Sequence, residues 1–124
     1  MIAGIGTDVV EVGRISEKLL RSEHFRDHVF AADESAYCEK QKNPAMHFAA
    51  RWAVKEAFLK AFGLKFIGNH RLSEIETRHD ADGKPYLQLH GQTAEEFVLR
   101  GFRCSHLSIS HTEHYAVAFV LIEQ

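Results

Sequence analysis

The sequence has 124 residues, 45% of them hydrophobic and 26% charged, which is typical of one compact soluble domain. A formal net charge of −2 gives no overall attraction to nucleic acid or to a membrane surface, so electrostatic recognition has to come from a local patch. No apolar run approaches the roughly 20 residues of a membrane span. The two cysteines, Cys38 and Cys104, lack a metal-ligand spacing and need not pair. We therefore expect a cytoplasmic protein with reduced thiols that begins at Met1.

The first segment, residues 2–12, predicts a buried strand, because it is β-rich and almost continuously apolar. Gly4 and Gly6 lie on the same face of this strand as Asp8, and their missing side chains let another element approach closely. The Asp8 carboxylate either caps the next helix or pairs with an arginine, or it binds a hard cation, which prefers oxygen ligands. The residues of this segment leave these interpretations open.

A helix is predicted over 12–25, and its basic residues recur along one side. The row consists of Arg14, Lys18 and Arg21, and Arg26 extends it. Such a row is usually a solvated face, but in a slightly acidic protein it equally fits a docking surface for an acidic partner. Phe25, at the end of this helix, is either an apolar contact of that surface or a core residue.

The most informative segment, residues 48–63, predicts a long Ala-rich helix closed by Gly63. Its apolar face consists of Ala50, Ala53, Val54, Ala57 and Ala61, whereas Arg51 and Lys55 point further round. Glu56 and Lys60 fall together at the margin of that face. They either form a supporting i,i+4 pair worth about 0.2–0.5 kcal/mol, or they belong to a site, because ions among apolar neighbours need partners.

The other segments complete a single domain over residues 1–124. Asp33 and Glu34 begin a short helix, Pro44 fits a turn before the long helix, and Gly68 with Asn69 suits a tight turn. The remaining predictions are a hairpin of strands 72–79 and 86–90, a helix over 92–101 with Thr93 as its cap, and two strands within 106–122. The fold class is therefore α+β, with a mostly antiparallel sheet packed against a long central helix.

Two segments together resemble a known family, the small holo-acyl-carrier-protein synthases, which are 4'-phosphopantetheinyl transferases. The first is Gly-Ile-Gly-Thr-Asp-Val-Val-Glu-Val from Gly4, and the second is Phe-Ala-Ala-Arg-Trp-Ala-Val-Lys-Glu-Ala-Phe-Leu-Lys-Ala-Phe-Gly from Phe48. The Asp82-Gly-Lys-Pro85 turn and the Ser108-Ile-Ser-His111 strand end match in order and spacing. The resemblance covers almost the whole chain.

The resemblance implies the 4'-phosphopantetheinyl transferase fold and transfer of phosphopantetheine from coenzyme A to a serine of an apo acyl carrier protein, leaving 3',5'-ADP. It also implies Mg²⁺ as cofactor and a homotrimer with active sites at subunit interfaces. Asp8 and Glu56 would hold the metal, and Lys60 would stabilise or protonate the leaving phosphate. Either Glu56 or a metal-bound water would accept the serine proton.

Further residues acquire expected roles through the same resemblance. His111 would lie near the nucleotide or the phosphates, although a turn histidine bonded to backbone remains an alternative. Arg51, Lys55 and Lys84 are candidates for the 3'-phosphate or equally solvated surface, and Pro85 and Ser110 belong to the matching coenzyme A segments. The acidic carrier protein would dock on Arg14, Lys18, Arg21, Phe25 and Arg26.

The chain departs from the family pattern at Leu64–Gly68, where a glycine-rich turn is usual, and at Thr7 and Trp52. Three other functions remain possible on the residues alone. They are a Mg²⁺-dependent phosphodiesterase or pyrophosphatase using the same acids, a catalytically weak or inactive oligomeric coenzyme A or carrier-binding module, and a zinc site of His106, His111 and His114.

Overall fold

The computed structural model describes residues 1–63 and 71–124. The predicted turn at Gly68 and Asn69 and the unusual segment Leu64–Gly68 lie outside the described residues. The helices are α1 (Val12–Arg21), α2 (Glu23–Val29), α3 (Ala32–Glu39), α4 (Pro44–Phe62) and α5 (Gly91–Leu99). The strands are β1 (Ile2–Glu11), β2 (Ile75–His79), β3 (Pro85–Leu89), β4 (Cys104–His111) and β5 (Tyr115–Glu123).

The strands are antiparallel, as predicted, but they form two sheets where the sequence predicted one. One sheet has the order β1-β5-β4, and the other is the β2-β3 hairpin. In the first sheet Asp8 pairs with Ala118 of β5, which pairs in turn with Ile109 of β4. The inward side chains of β5 are buried against α4, and alternate residues such as Val117 and Phe119 point away from it. The fold class is therefore the predicted α+β, with α4 at its centre.

The central helix α4 is buried around most of its circumference, and the predicted apolar face is confirmed. Ala50, Ala53, Val54, Ala57 and Ala61 are all buried. The helix begins a turn earlier than predicted because Pro44 occupies its first turn, where a backbone N–H would lack a helical partner in any case. The proline therefore starts this helix instead of forming a turn before it.

Strand β1 lies directly on α4 because two glycines leave no side chain between them. A Cβ atom on Gly4 would lie 1.9 Å from the carbonyl oxygen of Ala61, and one on Gly6 would lie 1.9 Å from that of Ala57. Real Cβ atoms do not approach oxygen so closely, so only glycine fits at either position. The close approach predicted from the glycine spacing is thus an approach of helix backbone to strand backbone.

The predicted helix over 12–25 is wrong in one respect, because it breaks at Ser22. This residue has an extended backbone (φ −159°, ψ 124°), and its hydroxyl accepts a hydrogen bond from the amide of His24. Serine competes well for such cap positions, and the chain restarts as α2. Arg26 therefore does not extend the row of α1. It lies on α2 and pairs with Glu39 of α3 at 2.8 Å.

A second correction concerns residues 72–99. Leu72–Glu74 is a 3-10 turn ahead of β2, so the first strand of the hairpin is shorter than predicted. Helix α5 begins at Gly91, so Thr93 lies within its first turn and is not the cap. The amide and hydroxyl of Thr93 both donate to Oε1 of Glu74. A carboxylate distant in sequence satisfies the helix start, which local patterns do not reveal.

Within the described part of the chain, no helix is long and apolar enough to cross a membrane.

The space around each glycine predicts different changes in stability for two glycine-to-alanine substitutions. Gly6→Ala is expected to lower the free energy of unfolding by roughly 1–3 kcal/mol, because a new methyl group has to push strand and helix apart. The matched control is Gly13→Ala in α1, where nothing lies within 4 Å of the new Cβ; it should be neutral or stabilise by up to about 1 kcal/mol. Urea denaturation measures both, and equal stability of the two variants would contradict the packing argument.

Candidate active site

Asp8, Glu56 and Lys60 come together where β1 crosses α4. The Nζ atom of Lys60 lies 3.3 Å from Oδ1 of Asp8 and donates to the carbonyl oxygen of Thr7 at 2.9 Å. The Lys60 side chain is 50% exposed and that of Asp8 is 18% exposed. Glu56 is one helical turn before Lys60 and is half-buried. The structure thus gathers two carboxylates and one ammonium at the edge of the core, open to solvent on one side.

The two carboxylates of this cluster repel each other. Burial and, next, the charge of Asp8 raise the pKa of Glu56, while Lys60, Lys18 and Arg14 lower it. The net direction is upward, because burial and the charge of Asp8 together outweigh the three cations. Two such carboxylates provide oxygen ligands for a divalent cation, and Mg²⁺ is commonly held by one or two carboxylates together with water and substrate phosphates. The donor set of Asp8 and Glu56 therefore fits Mg²⁺.

The predicted basic row on α1 faces the same cluster, since Arg14 and Lys18 both act on the pKa of Glu56. Arg14 and Arg21 are exposed, whereas Lys18 is half-buried with its Nζ 5.0 Å from the ring centroid of Trp52 and 5.5 Å from that of Phe25. Trp52, one of the departures from the family pattern, thus supports Lys18 by a cation–π contact.

Phe25 is half-buried and packs on the core. Its ring lies 5.8 Å from Trp52 and 6.0 Å from Phe30, centroid to centroid. Of the two sequence interpretations, the structure favours a core residue with one accessible edge.

His111 belongs to a second group of side chains at the start of α4. Its ring is 5.8 Å from that of His47, which is 5.9 Å from Tyr37, and Tyr37 stacks on His79 at 5.0 Å. Burial and the nearby charge of Arg51 lower the pKa of both His47 and His79. Sequence reasoning identified His111 and Arg51 but missed His47, Tyr37 and His79, because no fixed spacing joins them.

Arg51 is buried, so its interpretation as solvated surface is wrong. The residue is 2% exposed, and its guanidinium carbon lies 4.3 Å from the ring centroid of Tyr37. Its Nε and Nη2 atoms are buried without a hydrogen-bond partner among the described residues. Arg51 borders a cavity of about 280 Å³ that Tyr37, His79 and Tyr86 also line. A buried guanidinium with unused donors is suited to an anion, because unpaired buried charge is costly.

Lys55 is likewise buried, which contradicts both interpretations made from the sequence. Its side chain is 0% exposed, and its Nζ lies 2.7 Å from Oε1 of Glu34. The same Nζ donates to the carbonyl oxygens of Leu72 at 3.0 Å and Ile75 at 2.5 Å. Burial lowers the pKa of Lys55, and the Glu34 carboxylate opposes this shift. An ammonium with three protein acceptors and no exposed surface cannot also bind a phosphate, so Lys55 is a structural residue.

The three residues of the first cluster are separated from the other predicted coenzyme A contacts. His111 and Ser110 lie on β4, and β5 separates this strand from β1. Two strand spacings amount to roughly 10 Å. Lys84 and Pro85 lie at the β2-β3 hairpin, where they border a cavity of about 300 Å³ together with Ser105 and Leu107 of β4. One copy of the chain therefore holds these predicted residues in three places.

The proposed zinc set of His106, His111 and His114 is not the group that the fold assembles. His106 and His111 lie five positions apart on β4, so their side chains leave opposite faces of the strand. In the described ranges 1–63 and 71–124, the side chains that meet as potential metal ligands are instead Cys104, His106 and Glu123. The cysteines indeed lack a metal-ligand spacing in sequence, and Cys104 meets Glu123 only because that residue comes from the neighbouring strand.

Comparison with known proteins agrees with this geometry. A holo-[acyl-carrier-protein] synthase from Koribacter versatilis is 40% identical over 124 residues, covering 99% of each chain. The crystal structure of a holo-[acyl-carrier-protein] synthase from Neisseria meningitidis superposes with a TM-score of 0.92 at 32% identity and covers 100% of both chains. A Bacillus anthracis synthase solved in complex with coenzyme A (3',5'-ADP) gives 0.81 at 32% identity, covering 100% of this chain and 98% of that one.

The model of the 4'-phosphopantetheinyl transferase superfamily matches residues 4–120, which include β1 with Asp8, all of α4 and both outer strands of the first sheet. With nearly the whole chain matched, this protein belongs to the 4'-phosphopantetheinyl transferase superfamily.

Proposed function

We propose that the protein transfers 4'-phosphopantetheine from coenzyme A to a serine hydroxyl of an apo acyl carrier protein and releases 3',5'-ADP. The observation that carries this proposal is the cluster of Asp8, Glu56 and Lys60 at the β1–α4 crossing. Phosphoryl transfer requires positioning and neutralisation of charge more than covalent participation by the protein. A site with two carboxylates that can hold a metal and a half-exposed ammonium supplies both.

Asp8 and Glu56 would hold Mg²⁺ in this site. The bound ion would neutralise charge on the pyrophosphate of coenzyme A during transfer. Burial and then the negative charge of Asp8 raise the pKa of Glu56, and a bound cation would relieve the repulsion between the two carboxylates.

The reaction needs a cation beside the leaving phosphate and an acceptor for the proton of the serine hydroxyl. Lys60 is suited to the first task, and Glu56 is a candidate for the second. The Nζ of Lys60 is half-exposed and uses two acceptors, Thr7 and Asp8, so a donor remains for the leaving phosphate. Its long side chain is pinned at the end by the Thr7 carbonyl, which directs the charge toward the carboxylates. Glu56 is one candidate for the group that accepts the proton of the serine hydroxyl, and a metal-bound water is the other.

The arrangement is completed when copies of the chain associate through the outward face of the β1-β5-β4 sheet. This face exposes a row of large apolar side chains, Ile5, Val9, Tyr115, Val117 and Phe119, each at least 40% accessible. An exposed apolar face of this kind is a typical interface. A homotrimer formed through it would bring His111, Ser110 and Arg51 of one copy toward Asp8, Glu56 and Lys60 of the next.

Coenzyme A would then span the two copies. Arg51, which borders the cavity near His47 and His79 and has two unpaired donors, would contact its 3'-phosphate. Lys84 and Pro85 stay proposed contacts on the hairpin, whereas Lys55 is withdrawn from this role because Glu34 occupies its ammonium.

The decisive experiment measures the intact mass of an apo acyl carrier protein after incubation with the enzyme, coenzyme A and Mg²⁺. We expect the mass of one phosphopantetheine to be added on the carrier serine, and Asp8→Ala to lose this activity by at least about a hundredfold. The control Arg103→Glu, at the far end of the sheet, should keep it. Phosphate release from coenzyme A without carrier modification would identify a phosphodiesterase or pyrophosphatase, and binding without either product would identify an inactive binding module.

The α1 surface predicts a selective effect on the carrier protein. Acyl carrier proteins are expected to present acidic residues, so Arg14→Glu or Arg21→Glu should raise the KM for the carrier about tenfold while changing the KM for coenzyme A less than about twofold. Arg26→Glu should have a smaller effect, because Glu39 already neutralises Arg26. Steady-state kinetics with each substrate varied in turn tests this assignment. Equal changes in both KM values for Arg14→Glu would contradict it.

The pKa of Glu56 predicts how stability depends on pH. Because the folded-state pKa is raised, the charged carboxylate destabilises the fold above that pKa and has no such effect below the unfolded-state pKa, where both states are protonated. Glu56→Gln should therefore raise the free energy of unfolding at neutral pH by up to roughly 1 kcal/mol, an effect that disappears in acid.

Thermal unfolding across this pH range, with and without Mg²⁺, measures the effect. Mg²⁺ should raise the Tm of the wild type and not that of Glu56→Gln, since a ligand stabilises only a state that binds it. A variant that is less stable than the wild type at neutral pH, or that responds equally to Mg²⁺, would contradict the proposed metal pair.

A further inference from the structure

Cys104, His106 and Glu123 form a cluster at the end of the sheet that is far from α1. Cys104 and His106 are two positions apart on β4, so their side chains share one face, and Cys104 pairs in register with Glu123 of β5. The cluster lies on the outward face, away from α4. Its position comes from regular strand geometry and does not depend on a loop conformation.

The three ligand atoms lie close enough together to approach one metal ion. Nε2 of His106 lies 2.8 Å from Oε2 of Glu123, and Sγ of Cys104 lies 3.2 Å from the same oxygen and 3.8 Å from the same nitrogen. Tetrahedral zinc with ordinary bond lengths places such atoms roughly 3.4–3.6 Å apart. Shifts of a few tenths of an ångström would bring all three within bonding distance of one ion.

We propose that these three side chains form a second metal site, which binds Zn²⁺ or a chemically similar transition metal. A thiolate, an imidazole and a carboxylate are the ligand types that zinc shares, and the sulfur discriminates against Mg²⁺ and Ca²⁺, which require oxygen. The site is therefore chemically distinct from Asp8 and Glu56. It rests on this chain's own residues and does not depend on the proposed transferase reaction.

The surroundings leave space for a fourth ligand. The side chains of His106 and Glu123 are 61% and 40% exposed, so water or a neighbouring molecule can complete the coordination. In the cross-strand register His106 faces Leu121, which follows Val117 and Phe119 on the outward face. A metal here would lie at one end of the apolar surface through which copies of the chain are proposed to meet, and it would join β4 to β5 there.

Without metal, the same side chains form a hydrogen-bonded network in which His106 and Cys104 both contact Oε2 of Glu123. This network holds the three groups together before an ion arrives, which reduces the ordering that binding requires.

The experiment titrates Co²⁺ into the full-length, reduced and metal-free protein in the Asp8→Ala background, which removes the proposed Mg²⁺ site. We expect one equivalent to bind with a thiolate-to-cobalt charge-transfer absorption, and Zn²⁺ to displace it. Cys104→Ser should abolish this absorption, and His106→Gln should weaken binding by at least about tenfold. Each substitution is at the surface, so circular dichroism should show an unchanged fold.

The matched control is Cys38→Ala, which removes the chain's other thiol, a buried one outside the cluster. It should keep both the absorption and the stoichiometry. Absence of the absorption in the Asp8→Ala protein, its persistence in Cys104→Ser, or its loss in a folded Cys38→Ala protein would each overturn the proposal. A Co²⁺ affinity unchanged by His106→Gln would equally exclude the three-residue site.

Discussion

The contact between the backbones of β1 and α4 is the constraint on which the cluster of Asp8, Glu56 and Lys60 depends. With no Cβ on Gly4 or Gly6, the carbonyl oxygens of Ala57 and Ala61 rest against the strand. Asp8 follows on the same strand face, and Lys60 reaches across to the Thr7 carbonyl. The acid and base groups are thus positioned by two regular elements in direct contact. Such placement holds them more firmly than a loop would.

The fold places the candidate site residues of one chain in separate regions. The carboxylates and Lys60 lie at the β1 edge of the sheet, whereas Arg51 and the histidines lie toward β4. Between them the sheet turns a row of apolar side chains outward. An enzyme built this way would be expected to lose activity on dilution to monomers while its individual fold persists. Association would then be a requirement of catalysis rather than an addition to it.

Regular periodicity made much of this structure predictable, and long-range partners account for what it missed. The glycine spacing indicated a close approach at β1, and the 3.6-residue pattern identified the buried face of α4. The same pattern did not predict that Lys55 is buried, because its ion-pair partner Glu34 lies 21 positions away in sequence. The pattern also predicted α1 and α2 as one helix, because the spacing of apolar residues continues through Ser22. The serine hydroxyl instead caps a new helix. The pairing of Cys104 with Glu123 required the strand register.

The buried pair of Lys55 and Glu34 has a consequence for how the protein opens. Besides Lys55, Glu34 accepts hydrogen bonds from the amides of Ala31 and Thr77, so one carboxylate joins α3, α4 and β2. If any one of these elements detached, a charge would remain in the core without its partner. Partial opening of this region is therefore strongly disfavoured, and its amides should exchange with solvent only through unfolding of the whole unit. The junction of α3, α4 and β2 around Glu34 is consequently among the parts of the molecule that are hardest to open.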